Sequence, residues 1–137
     1  PHVGVFDMLR YQHFSMGAAW IPEYGSAERA DEFARLWRYS PLHQVRQGVT
    51  YPALLITTAD HDDRVAPAHS YKFAAALQSA QQGTQESATD GAALRPILLR
   101  VDERVGHGSG TPTSKLIAGA TDSLVFLTMT LSAGEQK

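Results

Sequence analysis

An α/β fold with a parallel sheet is predicted for this chain by three observations. Two apolar runs, Ala53-Leu54-Leu55-Ile56-Thr57 and Ile97-Leu98-Leu99-Arg100-Val101, are as continuously hydrophobic as strands covered on both faces. Segments with helical spacing of apolar residues follow both of them. A shorter apolar run, Val3 to Phe6, precedes the first helix, so the order is strand, helix, strand, helix, strand, helix with no internal repeat. That alternation is the signature of right-handed βαβ units.

Each element has its own justification. Val3 to Phe6, ending at Asp7, reads as the tail of a buried strand. Residues 8 to 25 mix aromatics with Gly17, Pro22 and Gly25 and hold no single period, which predicts a long structured loop. Ser26 is placed to cap the helix that follows, and Glu28, Asp31 and Glu32 suit the positive end of its dipole. Ala30, Phe33, Ala34 and Trp37 form its inward face, and Ser40-Pro41 stops it. The next helix is expected over 70–81 with Phe73, Ala74 and Leu77 inward. Gln82 to Asp90 has the composition of a solvated loop, and Pro96 opens the last strand. Thr111-Pro112 reads as an N-cap followed by proline at the first helical position. Leu116, Ile117, Ala120, Leu124 and Leu127 are the expected buried stripe of the final helix. Three such strands leave a long apolar edge open, so further strands are expected upstream of Pro1.

Composition narrows the function. The 137 residues read as one unit, with 43% hydrophobic and 19% charged residues and a net charge of −2. A nucleic-acid footprint would need a basic face, which that charge gives no reason to expect. Without cysteine, neither a disulfide framework nor a thiolate zinc site is possible. No stretch is apolar for long enough to span a membrane, and no signal peptide is visible, so a soluble intracellular, cytoplasmic protein is expected. The start at Pro1, directly before an apolar segment, suggests an excerpt of something longer.

Candidate chemistry lies on the loops after the two long strands. Asp60-His61-Asp62-Asp63-Arg64-Val65 follows the first, and Gly106-His107-Gly108 follows the second. An acid and then a histidine, each leaving the carboxyl end of a strand, is how an α/β-hydrolase places two members of a Ser-His-Asp triad. Imidazole suits proton exchange near neutrality, and the flanking glycines suit a displayed loop. A surface histidine in a flexible glycine-serine loop is the competing explanation. Asp60, Asp62 and Asp63 are all near enough to orient it, and spacing does not choose among them. The acidic loop lacks the glycine and distal glutamate of a calcium site. Arg64 either pairs with Asp63 on the surface or donates to a substrate carbonyl. Trp20 and Tyr24 either line an apolar pocket or pack as core. The other histidines show no metal-ligand spacing. No Gly-x-Ser-x-Gly occurs in the chain.

From about Val3 to about Leu131, the chain resembles the C-terminal part of the catalytic domain of the prolyl oligopeptidase family, serine peptidases built on the α/β-hydrolase fold. The resemblance rests on Asp7-Met8-Leu9, on Ala19-Trp20 with Tyr24-Gly25, and on Tyr39-Ser40-Pro41-Leu42-His43. It continues through Thr58-Ala59-Asp60-His61-Asp62-Asp63-Arg64-Val65 and Gly106-His107-Gly108, followed by Gly110-x-Pro112-Thr113. It implies the C-terminal half of that fold over residues 1–137. Asp62 would be the triad acid and His107 the general base. Arg64 would bond the peptide beside the scissile proline, Trp20 would stack on the proline ring, and Tyr24 and Val65 would wall its pocket. Short proline-containing peptides are the implied partners, with no cofactor and no metal. The nucleophile motif Gly-Gly-Ser-x-Gly-Gly and the propeller would lie upstream. Ser15 imitates half of such a motif but stands well past the expected strand–helix turn. A related peptidase, a macrocyclase, a truncated product and a proline-peptide binding module remain alternatives.

Overall fold

The computed structural model describes residues 1–85 and 95–132. Its centre is a parallel pair of strands, β1 (Leu54–Ala59) and β2 (Ile97–Asp102), aligned from Leu54 opposite Ile97 to Ala59 opposite Asp102. Both begin within a residue of the predicted apolar runs. Helix α3 (Ala68–Gln85) lies in the connection between them and covers one face of the pair. Ile56, Ala74, Leu77, Ile97 and Phe6 form the buried cluster there, so alternate residues of β1 meet the inward stripe of α3. Burying each large aliphatic side chain of this set stabilises the fold by roughly 1.5–3 kcal/mol. The helix runs four residues past the predicted end at 81; residues 86–90 of the predicted loop lie outside the described residues.

The predicted strand at Val3–Phe6 is not formed. Pairing with β1 occurs earlier, at a parallel bridge between His2 and Thr57. The Val3 amide donates to the Thr57 carbonyl at 2.9 Å, and the Thr57 amide donates to the Pro1 carbonyl at 3.0 Å. Val3 itself has φ of 41°, which turns the chain out of the extended conformation straight after the bridge. Phe6 then packs face to face on Phe73, with ring centroids 4.4 Å apart.

Residues 8–25 are tightly structured. Two 3-10 segments, Tyr11–His13 and Ser15–Trp20, lead into the short helix α1 (Ile21–Tyr24). Tyr11 is fully buried against Met8 and Leu36. A Cβ on Gly17 would lie 1.7 Å from the Tyr11 carbonyl oxygen, so only glycine fits this crossing. Gly17→Ala is expected to destabilise the protein by about 1–3 kcal/mol, read as a lower urea midpoint; an unchanged midpoint would show that the loop absorbs the methyl group.

Helix α2 (Ala30–Tyr39) departs from expectation twice. Ser26 does not cap it: Arg29 occupies that position, and no side chain bonds the helix start. Ser26 belongs to a preceding turn, where its amide donates to Glu32 at 2.6 Å and its hydroxyl accepts from Glu28 at 3.2 Å. The inward side is also different. Leu36 is fully buried, whereas Phe33 and Trp37 are 40% and 45% exposed and stack on each other. Glu32, one turn before Leu36, has its carboxylate engaged by Ser26 and Arg29, and this fixes the Glu32–Leu36 side inward against the stronger apolar pattern.

Helix α4 (Thr113–Ser132) begins one residue later than the predicted proline start. The Pro112 carbonyl accepts the Leu116 amide, which places Pro112 at the cap and frees Thr111 for another role. The predicted buried stripe is outside: Leu116, Ile117, Leu124 and Leu127 are all about half or more exposed, and Ala120 is exposed too. The half-buried positions are instead Lys115, Gly119, Ser123, Phe126 and Thr130. Polar ties explain that choice. Arg100 of β2 bonds Asp122 at 2.7 Å and Asp102 at 2.6 Å, and the Lys115 ammonium donates to the Glu103 carbonyl. Among the described residues, no helix is long and apolar enough to cross a membrane.

Candidate active site

The site is built where β1 and β2 end side by side. The Asp60 amide donates to the Asp102 carbonyl at 3.0 Å, and the His61 amide to the Val105 carbonyl at 3.1 Å, so the two exit loops are laced together. Asp60 is part of this lacing. It bonds the His61 ring at 2.6 Å and is bonded by the backbone amides of Arg104 and, at 3.4 Å, Val105; the His61 bond and then the Arg104 amide do most to lower its pKa to about 2.

Asp62 is buried. Its Oδ1 accepts the backbone amides of Arg64 at 3.0 Å and Val65 at 2.8 Å, an Asx-type turn that holds the carboxylate by its own chain. Its Oδ2 lies 2.8 Å from Nδ1 of His107, a residue 45 positions further along the chain. A carboxylate oxygen accepts, so in this bond Nδ1 is the donor and Nε2 is left without a partner among the described residues. Of the three acids that spacing left open, Asp62 is therefore the one that meets His107. Beyond His107, Gly108 has φ of 120°, a conformation open to glycine, and the Thr111 hydroxyl closes the loop by donating to the Gly108 carbonyl at 2.8 Å. The imidazole is partly exposed at the edge of a cleft of about 230 Å³ between the sheet and α4, lined also by His2, Val105, Gly106 and Thr111.

The other predicted site residues fall into two places. Arg64 and Val65 belong to the Asp62 turn. The Arg64 side chain is exposed and forms no ion pair with Asp63 or any other described residue, while Val65 is buried. Trp20 and Tyr24 form a separate aromatic group around Tyr11. Trp20 stacks near-parallel to Tyr11 at 6.5 Å, and Tyr24 meets Tyr11 edge-on at 5.7 Å. The Tyr11 hydroxyl donates to the Gly25 carbonyl. No ring contact or hydrogen bond among the described residues joins this group directly to Asp62 or His107. Nor do the described residues contain a cluster of side chains that could hold a metal.

Sequence reasoning passed over a second polar cluster, made of Asp7, Ser40, His43, His69 and Lys72. Asp7 is fully buried and accepts the amides of Leu9 and Arg10 and the Lys72 ammonium. Burial would push its carboxyl up, but the bond and charge of Lys72, with the charge of His43, hold it below the ordinary carboxylate value. Ser40 accepts the Met8 amide at 3.0 Å and lies 2.7 Å from the His43 ring. His69 accepts the Asp7 amide through Nδ1 at 3.2 Å, and burial lowers its pKa to about 4. Asp7 lies 62 positions before it in the chain, so no local spacing could have revealed the pair.

The native state keeps His69 neutral down to about pH 4, whereas an unfolded histidine takes up a proton near its ordinary value of 6.5. Between those values the unfolded chain binds more protons, so stability falls on acidification through that window and the loss is complete below about pH 4. The expected contribution is about 3 kcal/mol. Urea midpoints from pH 7 to pH 4.5 measure it. His69→Gln, which keeps an acceptor for Asp7, should flatten the slope, and an equally steep slope in that variant would assign it to other groups.

The prolyl oligopeptidase family of peptidases matches residues 1–134. The prolyl endopeptidase of Elizabethkingia meningoseptica is 45% identical over 127 residues, covering 92% of this chain and 17% of that protein. A solved prolyl endopeptidase superposes with a TM-score of 0.80 at 41% identity, over 96% of this chain and 18% of the other. Prolyl oligopeptidase B from Galerina marginata, bound to a 35mer hydrolysis and macrocyclization substrate, superposes with a TM-score of 0.81 at 38% identity, over 96% and 17% of the two chains. The chain thus spans about a sixth of the length of the curated relatives it matches.

Proposed function

We propose, from the premise that this chain belongs to the prolyl oligopeptidase family, that it supplies the acid–base half of a serine peptidase cleaving short peptides after proline. Its fold is that of the α/β-hydrolase catalytic domains of these enzymes, with parallel strands alternating with helices. The observation that carries the reading is the 2.8 Å bond between the buried Asp62 carboxylate and His107 Nδ1, at the carboxyl end of a parallel strand pair.

In this reading a serine hydroxyl from sequence outside residues 1–137 attacks the carbonyl carbon of a prolyl residue. Nε2 of His107 takes the hydroxyl proton, and Asp62 holds the ring and stabilises the imidazolium. The proton then passes to the departing amine, leaving a prolyl ester on the serine. Water attacks that ester by the same proton route and frees the acid. The Arg64 guanidinium, without an ion pair among the described residues, has its donors available for a peptide carbonyl, and its backbone is fixed by the same Asp62 oxygen that holds Val65. Trp20, with Tyr24 and Val65, would receive the proline ring, whose rigidity limits the entropy lost on docking.

The full-length protein is expected to release chromophore from a proline-linked chromogenic peptide. Residues 1–137 alone are expected to release none, because they hold the base without a nucleophile. Turnover by the isolated segment that disappears in His107→Ala would overturn this division of labour.

A further inference from the structure

The two predicted halves of the substrate site, the Trp20–Tyr24 wall and the Asp62–Arg64 turn, share no ring contact, hydrogen bond or ion pair among the described residues but are linked through one joint. Asp7 stands at the head of the aromatic loop, where its Oδ1 accepts the Leu9 and Arg10 amides at 3.2 and 3.1 Å and so sets the turn that delivers Tyr11 to its buried seat. Tyr11 in turn carries Trp20 and Tyr24 on its ring. The other side of the joint is the first turn of α3, which starts three residues after Val65. From there Lys72 reaches the second oxygen of Asp7, and His69 accepts its amide. Phe14, inside the aromatic loop, is gripped by the same two residues: its ring meets His69 edge-on at 5.2 Å and lies under the Lys72 ammonium at 5.8 Å.

We propose that Asp7, acting with Lys72 and His69, is a positioning residue that fixes the Trp20–Tyr24 wall relative to the Asp62–Arg64 turn. The inference rests on the reading of those residues as the proline site. A buried carboxylate that is paired and hydrogen-bonded on both oxygens is costly to strip of its partners, so it suits a joint that must hold a fixed spacing. Its effect falls on the fit of the proline ring. The His107–Asp62 bond is made elsewhere and is untouched.

The test uses the full-length protein with Asp7→Asn, Lys72→Met and Lys72→Arg. KM for a proline-linked chromogenic peptide is expected to rise about tenfold in the first two, while kcat and its pH profile stay within about twofold. Lys72→Arg should restore the wild-type KM. A second readout needs no activity: after 5-fluorotryptophan labelling, the 19F resonance of Trp20, assigned by its loss in Trp20→Phe, should shift in Asp7→Asn and Lys72→Met and return in Lys72→Arg. Lys72 is partly exposed, so its variants carry the test if Asp7→Asn does not fold. A fall in kcat at constant KM, or a Trp20 resonance unmoved by loss of the pair, overturns the proposal. If the wild-type protein cleaves no proline peptide, the functional reading fails, and the fluorine signal alone decides for or against the joint.

Discussion

His107→Ala in the full-length protein is expected to lower kcat for a proline-linked peptide by about six powers of ten, with little change in KM. In the proposed reaction Nδ1 of His107 is held by the Asp62 carboxylate, which would leave Nε2 to take the proton of a serine hydroxyl. Alanine removes the acceptor, and a serine hydroxyl unaided is a poor nucleophile. Asp62→Asn should cost roughly four powers of ten, because the amide places a donor where a carboxylate stood and favours the opposite tautomer of His107. Steady-state kinetics across pH 6–9 separate the cases. An alkaline shift that restores the Asp62→Asn variant, or a His107→Ala enzyme within a factor of about a hundred of wild type, would remove these residues from the chemistry.

The largest expected stability effect is at Tyr11. Tyr11→Ala empties a fully buried site, removes the ring on which Trp20 and Tyr24 rest, and leaves the Gly25 carbonyl without its donor. A buried aromatic truncated to alanine costs about 3–5 kcal/mol. Tyr11→Phe keeps the ring and loses only the hydroxyl bond, so about 1–3 kcal/mol is expected for the stranded carbonyl. Urea unfolding followed by tryptophan fluorescence measures both. Equal losses in the two variants would mean that the hydroxyl, and not the packed ring, holds the loop.

β1, β2 and α3 were legible because their signal is dense. Leu54-Leu55-Ile56 and Ile97-Leu98-Leu99 read as extended apolar chain, although the burial expected on both faces is met on the α3 side only and Leu98 is 46% exposed, and Phe73, Ala74 and Leu77 have one periodicity. The loops carrying Asp62 and His107 could be placed from these strands, although which acid would meet the histidine depended on the turn that Asp62 makes with Arg64 and Val65. Two helix faces were misread for a common reason. In α2 the engagement of Glu32, and in α4 the Arg100–Asp122 and Lys115 ties, set the rotation of the helix, and apolar periodicity does not see such ties. The Asp7 joint escaped because its members come from three separate stretches of chain that only the fold brings together.

The parallel pairing of β1 with β2 has a consequence for biosynthesis. The strands are 43 positions apart in register, Leu54 against Ile97, so closing them costs loop entropy that α3 must help to recover. The Asp62 carboxylate gains its imidazole only when the ribosome has released residue 107, long after the aromatic loop and α3 have emerged. A nascent chain stalled before β2 is therefore expected to own a formed joint at Asp7 and Lys72 and no proton relay, and arrest at graded lengths would reveal the order as two separate steps in protease protection.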